Sequence, residues 1–450
     1  MEFVIDFSVI PQNDPVAAAW WFFSTIGWIF PVFFFIYGLL LGWQIHLRNQ
    51  FRKTRKYILL AIDIPKENEQ TPRAVENIFS HLAAIQSSPG FYEKWWTGEI
   101  PDSFSFEIVS LGGYIQFIIH LEETHRDLVE AAIYAQYPDA EITEIEDYTK
   151  EWKLKFPNNE YDLFGTELKL NNKDVYPVIS YKEFEDTLVG ELKDPMASML
   201  EALTRIGPGE QIWIQLVLTP APNDWGDAAK PVINKIIGAK GGDGKKSIFS
   251  PLAGWISEFD KQITSSPESE SNSGGKDEPN QMQYLTAGQK DSVSAIEHKI
   301  SKIGFYTRIR YVYLAEKDKF VKARGDKGVY GAFKQFNDLG LNSFKTDSKT
   351  KTGGLIFFKD RRIAARQRKI LWRFKDRGDG LDPDNYGFIL NTEELASIWH
   401  FPILTVKAPL VKKSEAKRSE PPIGLPIEKS QVIKVKDESS KGQAPTNLPT

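Results

Sequence analysis

FSFEIVSLGGYIQFIIHL, residues 104–121, contains the strongest secondary-structure signal in the chain. Apolar and polar residues alternate through Phe104–Leu111, which is the period of a half-buried β-strand. Tyr114–Leu121 is predicted as the return strand. The Gly112-Gly113 pair between them provides the positive φ angles that a two-residue hairpin turn requires. The stretch therefore predicts a β-hairpin, and its neighbours indicate the kind of sheet to which it belongs.

One strand and one helix are predicted on each side of this hairpin. Tyr57–Ile64 is short and apolar, like a buried strand, and Thr71-Pro72 is a typical helix start. Thr124 is predicted to cap a second helix, and Ala140–Tyr148 is predicted as a strand. The order strand, helix, strand, strand, helix, strand is the split βαβ arrangement of a ferredoxin-like fold. We therefore expect an α+β protein whose first ferredoxin-like domain covers residues 48–150.

The same order of elements is predicted a second time, over residues 151–350. The strand and helix candidates are Tyr161–Leu170, Tyr176–Tyr181, Pro195–Ile206, Gln211–Thr219, Phe305–Leu314 and Asn342–Thr346. An insertion at about 222–303 takes the place that Gly112-Gly113 has in the first unit. Within the insertion, residues 265–280 are rich in Ser, Glu, Gly and Pro, a composition typical of disorder. We expect a second ferredoxin-like domain that carries this insertion.

A charge-free run precedes both units. No Asp, Glu, Lys or Arg lies between Asp14 and Arg48, and a bilayer core needs about 20 apolar residues in a helix. We predict a transmembrane helix over 16–47, in preference to a buried core helix or a signal peptide. The basic residues that follow the run are Arg48, Arg52, Lys53, Arg55 and Lys56. Basic flanks stay inside, so we predict an extracytoplasmic N-terminus (1–15) and a cytoplasmic body at the cell (inner) membrane.

Composition excludes several kinds of chemistry. The 450 residues include no Cys, which rules out disulfides, thiolate metal sites and a cysteine nucleophile. Lys plus Arg number 56 against 60 Asp plus Glu, so the chain as a whole does not attract nucleic acid. The stretch GAKGGDGKKS at 238–247 fails the spacing of a phosphate-binding P-loop and does not follow a strand. We predict no catalytic residue, no metal and no cofactor, and hence no enzyme.

Two polar groups are interpreted as structural. Glu141, Glu144, Glu146 and Asp147 lie at or next to a predicted edge strand, where carboxylates usually form a solvated face. His120 and His125 could form an acid–base pair. No nucleophile or glycine-rich elbow accompanies these histidines, so we expect them to stabilise the fold.

A basic helix is the best candidate for an interaction surface. Its charges are Arg361, Arg362, Arg366, Arg368, Lys369, Arg373, Lys375 and Arg377. Helical spacing places four of them on one face beside an aromatic ring, and the predicted surface is Arg362, Arg366, Lys369, Trp372 and Arg373. The alternatives are a nucleic-acid backbone, anionic lipid, an acidic protein partner and a helix that is simply solvated. The helix belongs to a region at 351–408 that ends in a short helix capped by Asn391-Thr392, and a disordered tail is predicted for 409–450.

Several motifs resemble a known family. Phe106–Val109 with Gly112-Gly113, Ile133–Ile142, and Leu390–Ala396 followed by Trp399–Pro402 resemble the N-terminal region of membrane-associated ATPases of conjugation and type IV secretion. That region is often described only as a domain of unknown function. The resemblance spans Tyr57–Pro409, and in those relatives a RecA-like motor follows. Because this chain has no P-loop, the resemblance implies a membrane platform that works with a separately encoded motor.

Three functions follow as hypotheses. The first is a non-enzymatic, membrane-anchored accessory subunit of a type IV secretion or conjugation-like machine, with a motor ATPase or other secretion subunits as partners. The alternative is a membrane-tethered nucleic-acid-binding protein that uses the basic helix at 361–377. The third is a hydrolase whose site has no sequence signature. ATP turnover would distinguish the third from the others, and salt-dependent DNA binding would distinguish the second from the first.

Overall fold

The computed structural model of the chain describes residues 23, 27, 29–65, 68–150, 152, 154–184, 194–237, 285–353, 358–378 and 387–403. The predicted extracytoplasmic N-terminus, the GAKGGDGKKS stretch, the disordered part of the insertion and the C-terminal tail lie outside the described residues.

Helix α1, Ile29–Thr54, contains the second half of the charge-free run. Its Phe30–Thr54 part is long and apolar enough to cross a membrane. Only 6% of the most apolar segment of this part is buried against the protein. A signal sequence passes the same test of length and composition. The helix does not end at residue 47, as predicted, but continues through the basic flank, since Lys and Arg are good helix formers.

The first half of the sheet has the predicted order of elements. These are β1 Tyr57–Asp63, α2 Pro72–Leu82, β2 Phe104–Leu111, β3 Tyr114–Glu122, α3 Arg126–Gln136 and β4 Glu141–Ile145. The strands lie in the order β4-β1-β3-β2, all antiparallel. Gly112 and Gly113 have φ angles of 60° and 96°, so the predicted hairpin is confirmed. Thr124 lies in a 3-10 turn, and the cap of α3 is His125, one residue later than predicted.

The second half continues the same sheet. Its elements are β5 Tyr161–Leu170, α4 Met196–Thr204, β6 Glu210–Pro220, α5 Lys230–Ile236, α6 Ala287–Ile300, β7 Gly304–Glu316, α7 Tyr330–Phe333 and β8 Phe344–Thr346. The order is β6-β7-β5-β8, and β2 pairs with β6 along its whole length, from Phe104↔Leu218 to Leu111↔Gln211. The structure therefore establishes a mixed α/β fold with one antiparallel sheet, and it does not establish two ferredoxin-like domains.

The predicted strand at Tyr176–Tyr181 is absent, and the segment is irregular until a 3-10 turn at Tyr181–Phe184. Its backbone N–H groups donate to side chains: Val178 to Glu394 Oε1 at 2.9 Å and Tyr181 to Ser397 Oγ at 2.7 Å. Because these donors have partners outside the sheet, the segment satisfies its backbone without joining a ladder.

The C-terminal part of the predicted region at 351–408, which holds its short helix, packs into the core. Strand β9, Phe388–Asn391, pairs with β7, and α9, Thr392–Ile398, follows it directly. The predicted cap is confirmed as a capping box between Asn391 and Glu394. Trp399 is 1% exposed, with its ring centroid 4.8 Å from that of Phe106. Burial of such a ring explains why this region cannot be detached from the sheet.

The two faces of the sheet are covered differently. Helices α2, α3, α4 and α9 share one large apolar core with it. On the other face lies α8, Lys359–Asp376, which is the predicted basic helix. Its Ile370, Leu371 and Phe374 pack with Trp213 and Val312 of the sheet. We call the sheet and its helices, from β1 to α9, the body.

Candidate interaction site: the anchor junction and the basic helix

The end of α1 is held against the body by a π-helical turn, Glu93–Thr97. Gly98 ends this turn with a φ of 71°, and a Cβ atom there would lie 2.5 Å from the carbonyl carbon of Leu47 and 2.8 Å from the nitrogen of Arg48. Only glycine permits both this φ and this approach. The backbone of the turn therefore touches the backbone of α1. We call this contact, together with the ion pairs of Arg52, Arg55 and Lys56, the anchor junction.

The basic flank of α1 supplies those ion pairs. Arg52 donates to Asp376 of α8 at 2.9 Å, and Lys56 donates to Glu123 at 2.6 Å. Arg55 pairs with Asp102 and, at 3.0 Å, with Glu122. Burial disfavours the charge of Arg55, but the two carboxylates outweigh that effect and raise its pKa. The flank that predicts topology therefore also binds the helix to the body.

Asp102, Glu122 and His125 form the group closest to a metal site among the described residues. Each offers one ligand atom, and these atoms lie within 4.8 Å of one another. However, Arg55 already contacts both carboxylates, and His125 Nε2 lies 3.3 Å from Asp102 Oδ2. A bound cation would have to displace the guanidinium, so the arrangement favours an ion-pair role. The absence of metal and cofactor sites stays a prediction.

The five predicted surface residues of α8 do not form one free face. Arg362, Lys369 and Trp372 are exposed, and 45% of the surface of Trp372 is accessible to solvent. Arg366 donates to the backbone oxygen of Lys351 at 2.7 Å, and Arg373 donates to Glu167 Oε2 at 2.6 Å. The body therefore engages two of the four charges of the predicted basic face. We call Arg362, Lys369 and Trp372 the exposed ridge of α8.

Arg377, directly after α8, forms a buried ionic cluster that the sequence reasoning missed. It is 5% exposed and donates to Glu107 Oε1 at 2.8 Å and to Asp147 Oδ2 at 2.9 Å. Tyr148 and Gln215 also donate to Glu107, each at 2.8 Å. The solvated position expected for Asp147 is therefore wrong. One signal in the sequence could have indicated this cluster. Glu107 is a lone acid within a strand at the centre of the sheet, and a buried carboxylate there needs a partner.

This cluster shifts the protonation of its members. Burial would raise the pKa of Glu107, but the charge of Arg377 lowers it. Burial would also raise the pKa of Asp147, and hydrogen bonds from Arg377 and Thr149 bring it to about 2. Burial, with the charge of Arg377, lowers the pKa of His120 to about 3. His120 is thus neutral at pH 7, and its ring stacks on Tyr57 with centroids 5.0 Å apart.

A family model matches residues 46–414, from the last residues of the charge-free run to beyond α9. The chain belongs to the family described as Domain of unknown function (DUF8128). No curated protein and no solved structure matches it. The DUF8128 match includes the anchor junction, α8 and Arg377, and it provides no link to ATPases of conjugation or secretion.

A cavity of about 480 Å³ opens beside α8 in the DUF8128 region. Its charged lining residues are Glu167, Lys169, Asp174, Arg308, Asp347, Lys349, Lys369 and Arg373. Several of them already pair across the wall, including Arg373 with Glu167 and Lys169 with Asp347. Because charges of both signs alternate in the lining, the cavity does not indicate a particular ligand.

Proposed function

We propose that this chain is a single-pass membrane protein whose body is a non-enzymatic docking scaffold. The observation that carries this proposal is the short connection between helix and sheet. Only Arg55 and Lys56 separate the end of α1 from the start of β1. The anchor junction then fixes the helix to the π-helical turn and to α8. A scaffold must present its surface at a defined orientation, and a helix that continues into the body without a linker provides it.

The proposed orientation follows from charge. Acidic residues precede the charge-free run and basic ones follow it, which favours a cytoplasmic body. A reporter that is active only after export and a fluorescent reporter that is active only in the cytoplasm should be fused to the C-terminus of the full chain. We expect the fluorescent fusion to be active and the export-dependent fusion to be inactive. After alkaline extraction, the protein should remain in the membrane fraction. Export activity would contradict the proposed orientation. Release of the protein into the soluble fraction by alkaline extraction would contradict the proposed membrane anchor.

A non-enzymatic role is supported by how the buried ionisable groups are used. Lys299 and Glu394 pair at 3.1 Å in the core, and His400 pairs with Asp194 at 2.8 Å. Like Arg377 with Glu107, the members of each pair satisfy each other's polar atoms and join elements that are distant in sequence. Breaking such pairs is costly, which suits a role in maintaining one arrangement of the fold.

The proposed docking surface is the exposed ridge of α8, and the proposed partner is a motor ATPase of a type IV secretion or conjugation-like machine. The sequence resemblance supports this choice of machine, and the exposed Arg362, Lys369 and Trp372 suit an acidic protein surface. A photo-crosslinking residue should be placed at position 372 in the native membrane. We expect one adduct, with a nucleotide-hydrolysing subunit. A crosslinker at the exposed Tyr114 is the control.

Adducts only with nucleic acid at position 372 would favour the second candidate, a membrane-tethered nucleic-acid-binding protein. The observation in its favour is that an aromatic ring lies among exposed cations on this ridge, a combination that suits a single strand. Equal adducts at positions 372 and 114 would contradict both functions of the ridge.

A further inference from the structure

Two aromatic rings project at the anchor junction, one from the π-helical turn and one from the residue that caps it. Tyr92 is 65% exposed and Trp96 is 61% exposed. Their rings stack on each other with centroids 5.6 Å apart and an interplanar angle of 10°. Burial of apolar surface in the body does not explain this pair, because both rings face away from the core. Exposed aromatic surface of this kind marks a contact with a partner or with a membrane.

The position of the turn along α1 identifies the partner. Gly98 touches α1 at Leu47 and Arg48, which is where the charge-free run ends. Trp96 is two residues away, so its Cα lies within about 7 Å of that of Gly98. The headgroup layer of a bilayer is itself about 5–8 Å thick on each side. If α1 spans the membrane, both rings are therefore at the level of the lipid headgroups.

The chemistry of the rings suits that layer. Tyr and Trp have an apolar body and a polar tip, and they are enriched where hydrocarbon meets water. Trp43, one turn before Leu47 on α1, is 54% exposed and has the same character. The turn and the helix would thus contribute to one aromatic belt from two separate parts of the chain.

We propose that Tyr92 and Trp96 insert into the lipid headgroup layer beside α1 and form a second membrane contact. This inference rests on the proposed membrane anchoring. One membrane-spanning helix alone leaves the helix and the body free to tilt together relative to the bilayer plane. A second contact, held to α1 through Gly98, fixes the tilt of the sheet and hence the direction in which the ridge of α8 points.

Because the chain contains no Cys, one introduced thiol can carry a probe at a single site. The full chain should be reconstituted in vesicles of phosphatidylcholine and phosphatidylglycerol. An environment-sensitive fluorophore is attached in separate variants at Trp96→Cys, Trp43→Cys and Leu339→Cys, the last at a side chain that is 98% exposed in the body. Quenching is then measured with lipids that carry a nitroxide near the headgroup.

We expect about twofold quenching at positions 43 and 96, as for groups at the membrane interface, and none at 339. Quenching at 43 without quenching at 96 would overturn the second contact and leave the anchor intact. No quenching at either position would overturn the anchor, and the second contact with it.

A second set of variants tests the rings themselves. The fluorophore is attached at Thr97→Cys, with Tyr92 and Trp96 present or both replaced by Ser. We expect stronger quenching at position 97 when the rings are present than when both are replaced, at an unchanged melting temperature. Equal quenching in the two chains would overturn the role of the rings.

Discussion

The basic flank of α1 and the basic helix α8 look alike in sequence but differ in what surrounds their charges. In the flank, Arg52 and Arg55 pair with carboxylates from other elements. In α8, the C-terminal end is engaged by the body through Arg373 and Arg377, whereas Arg362 and Lys369 face solvent. A run of positive charge therefore does not itself mark a binding surface. Within the described part of the chain, the charges of the run that form no ion pair are the ones available to a partner.

The largest expected effect is at the engaged end of α8. Arg377→Met would leave Glu107 buried without its counter-ion, and breaking a buried pair in this way costs about 3–5 kcal/mol of unfolding free energy. The matched control is Arg362→Met on the exposed ridge, for which we expect a change within about 0.5 kcal/mol. Thermal unfolding of the full chain in detergent measures both. Equal melting temperatures for the two variants would refute the distinction between the two ends of α8.

A glycine substitution tests the anchor junction next. Gly98→Ala places a Cβ 2.5 Å from the backbone of Leu47, at a residue whose φ is 71°. Backbone strain and overpacking should lower the free energy of unfolding by about 2–4 kcal/mol. Gly331→Ala is the control, because a Cβ there meets no atom within 4 Å and α7 should gain slightly. The expected readout is proteolytic cleavage between α1 and β2 in the Gly98 variant alone. Resistance equal to that of the control would argue against a tight junction.

Acid should weaken the Arg377 cluster. The pKa of Asp147 is about 2 in the folded protein against 3.8 ordinarily, so its contribution is complete above pH 4 and is lost as the pH falls toward 2. With solvent screening we expect an effect on the order of 1 kcal/mol. Unfolding free energies at pH 5 and pH 3 should differ more for the original chain than for Arg377→Met. The same acid dependence in both chains would show that Asp147 gains nothing from Arg377.

The ion pair between α1 and α8 should have a smaller effect. The side chains of Arg52 and Asp376 are 29% and 26% exposed, and pairs of this kind contribute at most about 1 kcal/mol. Arg52→Glu should lower the melting temperature slightly, and Asp376→Arg in the same chain should restore it. If the second change lowers the temperature further, the two residues do not interact in solution.

The smallest effect is expected for DNA binding by the exposed ridge. Arg362 and Lys369 can neutralise two phosphates, which gives a log–log salt slope near −2 at most. We expect weak binding at physiological salt, because the chain carries a net charge of −4. Fluorescence anisotropy over a salt series, with Arg362→Glu and Lys369→Glu as the control, measures it. Micromolar or tighter binding at physiological salt that is lost in the control would favour the nucleic-acid function.

Local signals in the sequence predicted local structure. The hairpin followed from Gly112-Gly113, and Thr71-Pro72 correctly predicted the start of α2. Contacts between distant elements were not predictable. The pairing of β2 with β6 joins strands about a hundred residues apart, and alternation within a strand does not identify its neighbour.

The candidate site was predictable only in part, for a related reason. The pattern of charges in α8 identified the exposed ridge, but the partners of Arg366 and Arg373 come from Lys351 and Glu167, which no spacing rule connects to them. Similarly, Asp147 looked solvated because its neighbours Glu144 and Glu146 are. Its hydrogen-bond partner Arg377 lies 230 residues later in the chain.

The anchor junction implies that α1 and the body form one rigid unit. Spin labels at Trp43→Cys in α1 and Trp372→Cys in α8 can be attached selectively, because the chain has no other Cys. Pulsed electron–electron double resonance should be recorded on the full chain in lipid nanodiscs. A single narrow distance distribution is the predicted result, and Gly98→Ala should broaden it. A broad distribution in the unaltered chain would contradict the claim, because it would mean that the helix moves freely relative to the sheet.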